Sequence, residues 1–82
     1  MITKEEIKGY IEGGLSSELV DVSGDDGQHF EAVIVSAEFA GKSRVQRHQL
    51  VYKALGSKMG NEIHALSFKT LTPEEWRKQA GA

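Results

Sequence analysis

Two histidines and the lack of cysteine define the chemistry open to this 82-residue chain. It contains His29, His48 and His64 but no cysteine. Imidazole is a common metal ligand, whereas the thiolates that complete many iron–sulfur and zinc sites are missing. If His29 and His64 come together, they supply half of a four-ligand metal site. The other half must then come from another molecule.

The hydrophobic pattern predicts three helices and three strands in the order αββαβα. Thr3 and Glu6 have the spacing of a capping box, which predicts a helix start at about residue 4. Val20 and Val22 alternate about Asp21, as in a half-buried strand. The predicted elements are a helix over residues 4–14, a strand ending near Val22, a strand over 28–36, a helix over 43–55, a strand over 62–69, and a short helix that opens with Thr72, Pro73, Glu74 and Glu75.

The order of the elements predicts where the histidines lie. A turn-forming segment, residues 23–27, joins the first two strands as an antiparallel hairpin. The second strand, the long helix and the third strand form a crossover, so these two strands are predicted to be parallel neighbours that start at the same edge. His29 and His64 lie near those two starts. His48 lies on the helix, toward the opposite edge, and is interpreted as structural.

The long helix is predicted to carry basic side chains on a partly apolar face. At 100° per residue, Arg44 and Arg47 fall inside the arc of apolar positions, and Lys42 lies just before the helix. Two interpretations remain open: a solvated helix start, or a surface that contacts a partner through Lys42, Arg44 and Arg47. Trp76, in the last helix, is expected to cover the core.

Length and charge exclude several classes of protein. The chain is long enough for one domain, predicted over residues 1–80 with a tail at 81–82. No apolar run approaches the ~20 residues that span a bilayer, so we expect a cytoplasmic protein. The net charge of −2 argues against nucleic-acid binding by bulk electrostatics. The sequence has no nucleophile-elbow or phosphate-loop motif, so no enzymatic activity is expected.

Three stretches together form a specific pattern: FAGKSRVQRHQLVY at residues 39–52, IHALS at 63–67 and TPEEW at 72–76. This pattern closely resembles the BolA family. The short length, together with DGQHF at residues 26–30, makes the chain most similar to the bacterial IbaG subgroup. The resemblance implies an α+β fold like the class II KH domain, with a three-stranded mixed sheet.

The resemblance also implies a partner and a cofactor. BolA-like proteins bind monothiol glutaredoxins and share a [2Fe-2S] cluster with them, and the family's ligands correspond here to His64 and His29. A glutaredoxin cysteine and a glutathione thiolate would then complete the four ligands. We therefore expect a monomer without a cluster when the protein is isolated, and a heterodimer with glutaredoxin. Ligation needs neutral imidazole, so it should weaken below about pH 6.5.

Nucleic-acid binding is the alternative function. KH-like folds and basic helix starts are used for it, and the family is linked to transcriptional control. The KH clamp is a GXXG loop. Gly56 and Gly60 are one residue too far apart for that loop, so we expect at most weak, sequence-independent binding.

Overall fold

A computed structural model describes residues 2–24, 29–59 and 65–80 of the chain. The order αββαβα is confirmed, with two short 3₁₀ turns at Ala37–Phe39 and Gly56–Lys58. The elements are α1 (Lys4–Gly14), β1 (Leu19–Ser23), β2 (His29–Val35), α2 (Arg44–Leu55), β3 (Ala65–Leu71) and α3 (Pro73–Ala80).

Local capping sets where the helices begin. In α1, the Thr3 hydroxyl accepts a hydrogen bond from the Glu6 backbone N–H, and the Glu6 carboxylate accepts one from the Thr3 N–H at 3.0 Å. Ser43 and Gln46 form the same capping box at α2. Such reciprocal bonds satisfy backbone donors that a helix start leaves unpaired. The predicted start of α1 is confirmed, and α2 begins one residue after its predicted boundary because Ser43 is the cap.

The sheet has the predicted topology, with strand order β1-β2-β3. β1 and β2 pair antiparallel, whereas β2 and β3 pair parallel. In the parallel pair, His29 lies opposite Ala65 at one end and Val35 lies opposite Leu71 at the other. The α+β fold class is therefore confirmed, and this arrangement is compatible with a class II KH-like domain.

One hydrophobic core joins the sheet to α1 and α2. The alternating residues Phe30, Ala32 and Ile34 of β2 are buried, as their spacing predicts. They belong to one cluster with Ile7 of α1 and Val51 of α2, both fully buried. Burying each large aliphatic side chain contributes about 1.5–3 kcal/mol to folding, so this cluster fixes the helices on the sheet.

Two predictions need correction near the C-terminus. β3 ends at Leu71 instead of residue 69, because Leu71 is buried and its carbonyl accepts a hydrogen bond from the Ser36 N–H at 3.0 Å. Its predicted start at Glu62 lies outside the described residues. Trp76 does not cover the core: it keeps 36% of its surface exposed, and α3 buries no residue. α3 is held by polar contacts instead.

Within the described ranges, no helix is both long and apolar enough to cross a membrane.

Candidate functional site

His29 lies where the sequence predicts it, at the start of β2. Its side chain is exposed, and its partner in the parallel register is Ala65, the first residue of β3. His64 is the residue bonded to Ala65 on its N-terminal side, and it lies outside the described residues. The predicted common edge is therefore confirmed for His29 and Ala65. The position of His64 stays a prediction.

Two neighbours fix the backbone at His29. The next residue, Phe30, is 3% exposed and anchors the strand in the core. Gly24 has a φ of +153°, and a Cβ there would lie 2.5 Å from the His29 carbonyl oxygen and 2.8 Å from Phe30 Cδ1. Only glycine allows this close approach. The sequence predicts a turn at Gly24, but local pattern gives no sign that this glycine sets the position of a candidate ligand.

His29 is a candidate metal ligand that lies within the described residues. Among the described residues, no group of three or more histidine, cysteine, aspartate or glutamate side chains could hold a metal ion. His29 offers an imidazole at an exposed strand end. An imidazole in that position can be a ligand to a metal centre that a second molecule completes.

Arg47 differs from the other two residues of the predicted basic patch. Lys42 and Arg44 are exposed, whereas the Arg47 side chain is only 15% exposed. Arg47 Nη1 lies 2.8 Å from Glu75 Oε1 and 3.3 Å from the Thr70 carbonyl, to which it donates. Its main interactions therefore fasten α2 to β3 and α3. Of the three residues predicted to contact a partner, Arg47 has the least accessible side chain.

Glu75 completes this junction. Its carboxylate accepts a hydrogen bond from the Thr72 backbone N–H at 2.8 Å, and its own N–H donates to the Thr72 hydroxyl at 3.1 Å, which caps α3. The hydrogen bond from Arg47, helped by that from Thr72, lowers the pKa of Glu75 below its ordinary value of 4.5. The carboxylate therefore stays charged where the ion pair needs it.

A groove runs between α2, β3 and α3, which we call the basic groove. It has a volume of about 730 Å³. In its wall His48 packs against Phe68 with ring centroids 4.5 Å apart. Tyr52, which does not line the groove, contacts the same phenylalanine edge-on at 5.5 Å. The half-buried His48 thus contacts the middle of β3, and it shares the groove with Thr70 and Leu71 at the end of that strand. The groove is lined by Lys42, Arg44, Arg47, His48, Phe68, Lys69, Thr70, Leu71, Glu75 and Gln79.

Lys69 is a member of the basic groove that sequence analysis missed. It is exposed and lines the groove together with Lys42 and Arg44. The sequence gives only strand alternation at this position, and alternation does not predict which cations of a helix and a strand line the same groove. The exposed positive residues of the groove are therefore Lys42, Arg44 and Lys69.

Comparisons with known proteins agree with this architecture. The family model described as BolA-like protein matches residues 14–75, which is most of the chain. This chain belongs to the BolA family. The acid stress protein IbaG of Escherichia coli K12 is 43% identical over 74 residues, covering 89% of this chain and 87% of the relative. The family resemblance found in the sequence is thus confirmed.

Two further BolA-family proteins extend the comparison. A BolA protein homologue from Coxiella burnetii has a solved structure that matches with a TM-score of 0.84 at 51% identity, covering 94% of this chain and 99% of that one. The DNA-binding transcriptional regulator BolA of Haemophilus influenzae is 49% identical over 51 residues, or 62% of this chain. The match spans 50% of that regulator's length. These names describe a stress protein and a regulator, and no catalytic family is indicated.

Proposed function

We propose that this BolA-family protein is a non-catalytic, cytoplasmic partner of a monothiol glutaredoxin. The two proteins share a [2Fe-2S] cluster, in cluster trafficking or assembly, or in iron and stress signalling. The observation that carries the proposal is the parallel register of His29 with Ala65, the chain neighbour of His64. This register puts the exposed His29 opposite Ala65, the middle residue of the IHALS motif and the first residue of β3.

His29 and His64 are the proposed ligands from this chain. Imidazoles on one iron raise the reduction potential of a [2Fe-2S] cluster relative to thiolates. With no cysteine in the chain, glutaredoxin and glutathione must supply the two thiolates. The chain's own contribution is to hold His29 on a strand whose first residues are fixed by Phe30 and Gly24. Each histidine must offer a neutral nitrogen to the iron.

The basic groove is the proposed docking surface for glutaredoxin. Lys42 and Arg44 are exposed at the start of α2, and the exposed Lys69 of β3 lines the same groove. A local cluster of cations on a chain of net charge −2 favours an acidic protein surface, because opposite charges steer association and fix its orientation. Arg47 supports this surface by holding α2, β3 and α3 together.

Reconstitution tests the shared cluster. The isolated protein should purify colourless and monomeric, whereas mixing it with monothiol glutaredoxin, glutathione, iron and sulfide should give a heterodimer with visible cluster absorption. Absorption spectra and native mass spectrometry measure both properties. A stable coloured protein without glutaredoxin would contradict the ligand count.

Charge reversal tests docking. The double variant Lys42→Glu/Arg44→Glu should abolish binding to cluster-free glutaredoxin in titration calorimetry. Lys4→Glu/Lys8→Glu is the matched control, because it changes the net charge by the same amount and both lysines are exposed on α1, a different element from those that line the groove. Arg47 is left unchanged, since its reversal would also break the junction with α3. Equal loss of binding in the Lys4/Lys8 control would rule out a specific role for the groove.

Nucleic-acid binding is the second candidate, favoured by the name of the Haemophilus influenzae relative, a DNA-binding transcriptional regulator, and by the three exposed cations of the groove. Binding through a few phosphate contacts should be weak and should fall steeply between about 50 and 200 mM salt. Fluorescence anisotropy with a defined duplex and a scrambled duplex measures this. Submicromolar, sequence-selective binding at physiological salt would put transcriptional control first.

A further inference from the structure

We propose that His48 makes the basic groove respond to pH: a proton on its imidazole strengthens docking of an acidic protein surface. The identity of that surface rests on the glutaredoxin docking proposed above. The role of His48 in the groove is a separate inference, drawn from its position. His48 is neither one of the proposed cluster ligands nor adjacent to one.

The imidazole of His48 is held in the wall of the groove. It is half-buried and packs against Phe68 with a ring-centroid distance of 4.5 Å and an interplanar angle of 56°. Tyr52 contacts the same phenylalanine from another side. Because the ring is fixed among its neighbours, any charge it gains appears at a defined place within the groove.

The charged residues that line the groove together with His48 come from three elements and one loop. Arg44 and Arg47 lie on its own helix, Lys42 lies just before that helix, Lys69 belongs to β3, and Glu75 belongs to α3. Arg47 and Glu75 are 2.8 Å apart and largely neutralise each other. Three cations of the groove, Lys42, Arg44 and Lys69, therefore remain, and protonated His48 adds a fourth positive charge.

Histidine is the side chain whose charge ordinarily changes between pH 5 and 8, so acidification within this range should add positive charge to the groove. Carboxylates of a docked partner favour the charged imidazole, and by linkage the charged imidazole favours the docked partner. The proposed ligands His29 and His64 respond in the opposite sense, because iron binds neutral imidazole. A fall in pH should therefore tighten docking while it weakens retention of the cluster.

Affinity for cluster-free glutaredoxin, measured by titration calorimetry at pH 7.5 and 5.5, tests the proposal. Wild type should gain about threefold more affinity on acidification than His48→Gln does, the size of effect expected for one unit charge near a partner carboxylate in a solvent-screened groove. Titrating groups of glutaredoxin affect both proteins equally and cancel in this ratio. Arg44→Gln is the matched control: it should weaken binding at both pH values and keep the wild-type gain.

A measurement on the wild type guards against a folding defect in the variant. The His48 ring resonance, followed by NMR from pH 5 to 8, should titrate at higher pH with glutaredoxin bound than without it. An unchanged midpoint, or the same affinity gain in His48→Gln as in wild type, overturns the inference. Absence of glutaredoxin binding at every pH overturns the proposed function instead. A His48-dependent gain seen with a DNA duplex and not with glutaredoxin overturns the choice of a protein partner.

Discussion

The two ends of the parallel β2–β3 pair use polar side chains in opposite ways. At the start of the strands, His29 extends an exposed imidazole from a backbone fixed by Phe30 and Gly24. At their end, the Arg47 guanidinium is turned inward and binds the Thr70 carbonyl and the Glu75 carboxylate. One end therefore exposes an imidazole, whereas the other end uses a guanidinium to fasten α3 to α2 and β3. Substitutions should separate these two roles.

The largest expected effect concerns the histidine end. His64→Ala should remove most of the cluster absorption of the glutaredoxin complex. His29→Ala should lower cluster retention by at least about 10-fold, the smallest loss expected when a residue that merely orients a ligand is removed. His29→Ala should leave the fold intact, because the side chain is exposed. Visible circular dichroism and thermal unfolding measure the two properties. His48→Gln is the control that should retain the spectrum at pH 7.5, and equal spectra for wild type and the double variant would rule out ligation by this pair.

At the opposite end, Arg47→Gln should lower the free energy of unfolding by about 2 kcal/mol. The change removes charge-assisted hydrogen bonds to Thr70 and Glu75 and leaves a half-buried carboxylate without its cation. Arg44 is exposed on the same helix, so Arg44→Gln should change the free energy of unfolding by less than about 0.5 kcal/mol. Urea denaturation measures both. Similar losses for the two variants would mean that the junction does not hold the fold.

Gly24→Ala should displace the backbone at His29 and lower the free energy of unfolding by about 1–2 kcal/mol. The added Cβ would meet the His29 carbonyl oxygen at 2.5 Å, and the φ of +153° is strained for alanine. Amide NMR shifts of His29 and Phe30 should move, and cluster retention should fall. The control is Gly9→Ala in α1, where an added Cβ has no neighbour within 4 Å. Alanine favours the helix over glycine, so this change should raise the free energy of unfolding by up to about 1 kcal/mol. No shift change at His29 would contradict this positioning role.

The smallest effect is the pH dependence of the Arg47–Glu75 junction. Because its pKa is lowered in the folded protein, Glu75 contributes stability above pH 4.5, and this contribution is lost as the pH falls through its lowered pKa. Glu75→Gln should therefore be less stable than wild type at pH 7, by under about 1 kcal/mol, with the difference shrinking in acid. Urea denaturation from pH 7 to 3 measures it.

Glu74→Gln is the control for that series. Glu74 is exposed and pairs with Lys78 along the surface of α3, at 3.3 Å. Its stability curve should follow that of wild type at every pH. If Glu74→Gln and Glu75→Gln lose acid sensitivity equally, the effect belongs to the charge of α3 as a whole, and the specific pair with Arg47 is excluded as its cause.

The sequence by itself determined the elements, their order and the family. Helix starts depend on residues three positions apart, such as Thr3 with Glu6, so local spacing is enough to predict them. The strand–helix–strand order likewise required parallel neighbours, and this put His29 at the correct end of the sheet. These features follow from local geometry and chain connectivity, which the sequence contains directly.

Only the tertiary structure decided what each polar side chain contacts. An angular count treats α2 as an isolated cylinder, so it ranked Arg44 and Arg47 alike, whereas a carboxylate 28 residues away selects Arg47. Two other features depend in the same way on how elements pack: the approach of Gly24 to His29, and the place of Lys69 in one groove with Lys42 and Arg44. Such contacts are set by distances across the assembled fold, and periodicity along the chain carries no measure of them.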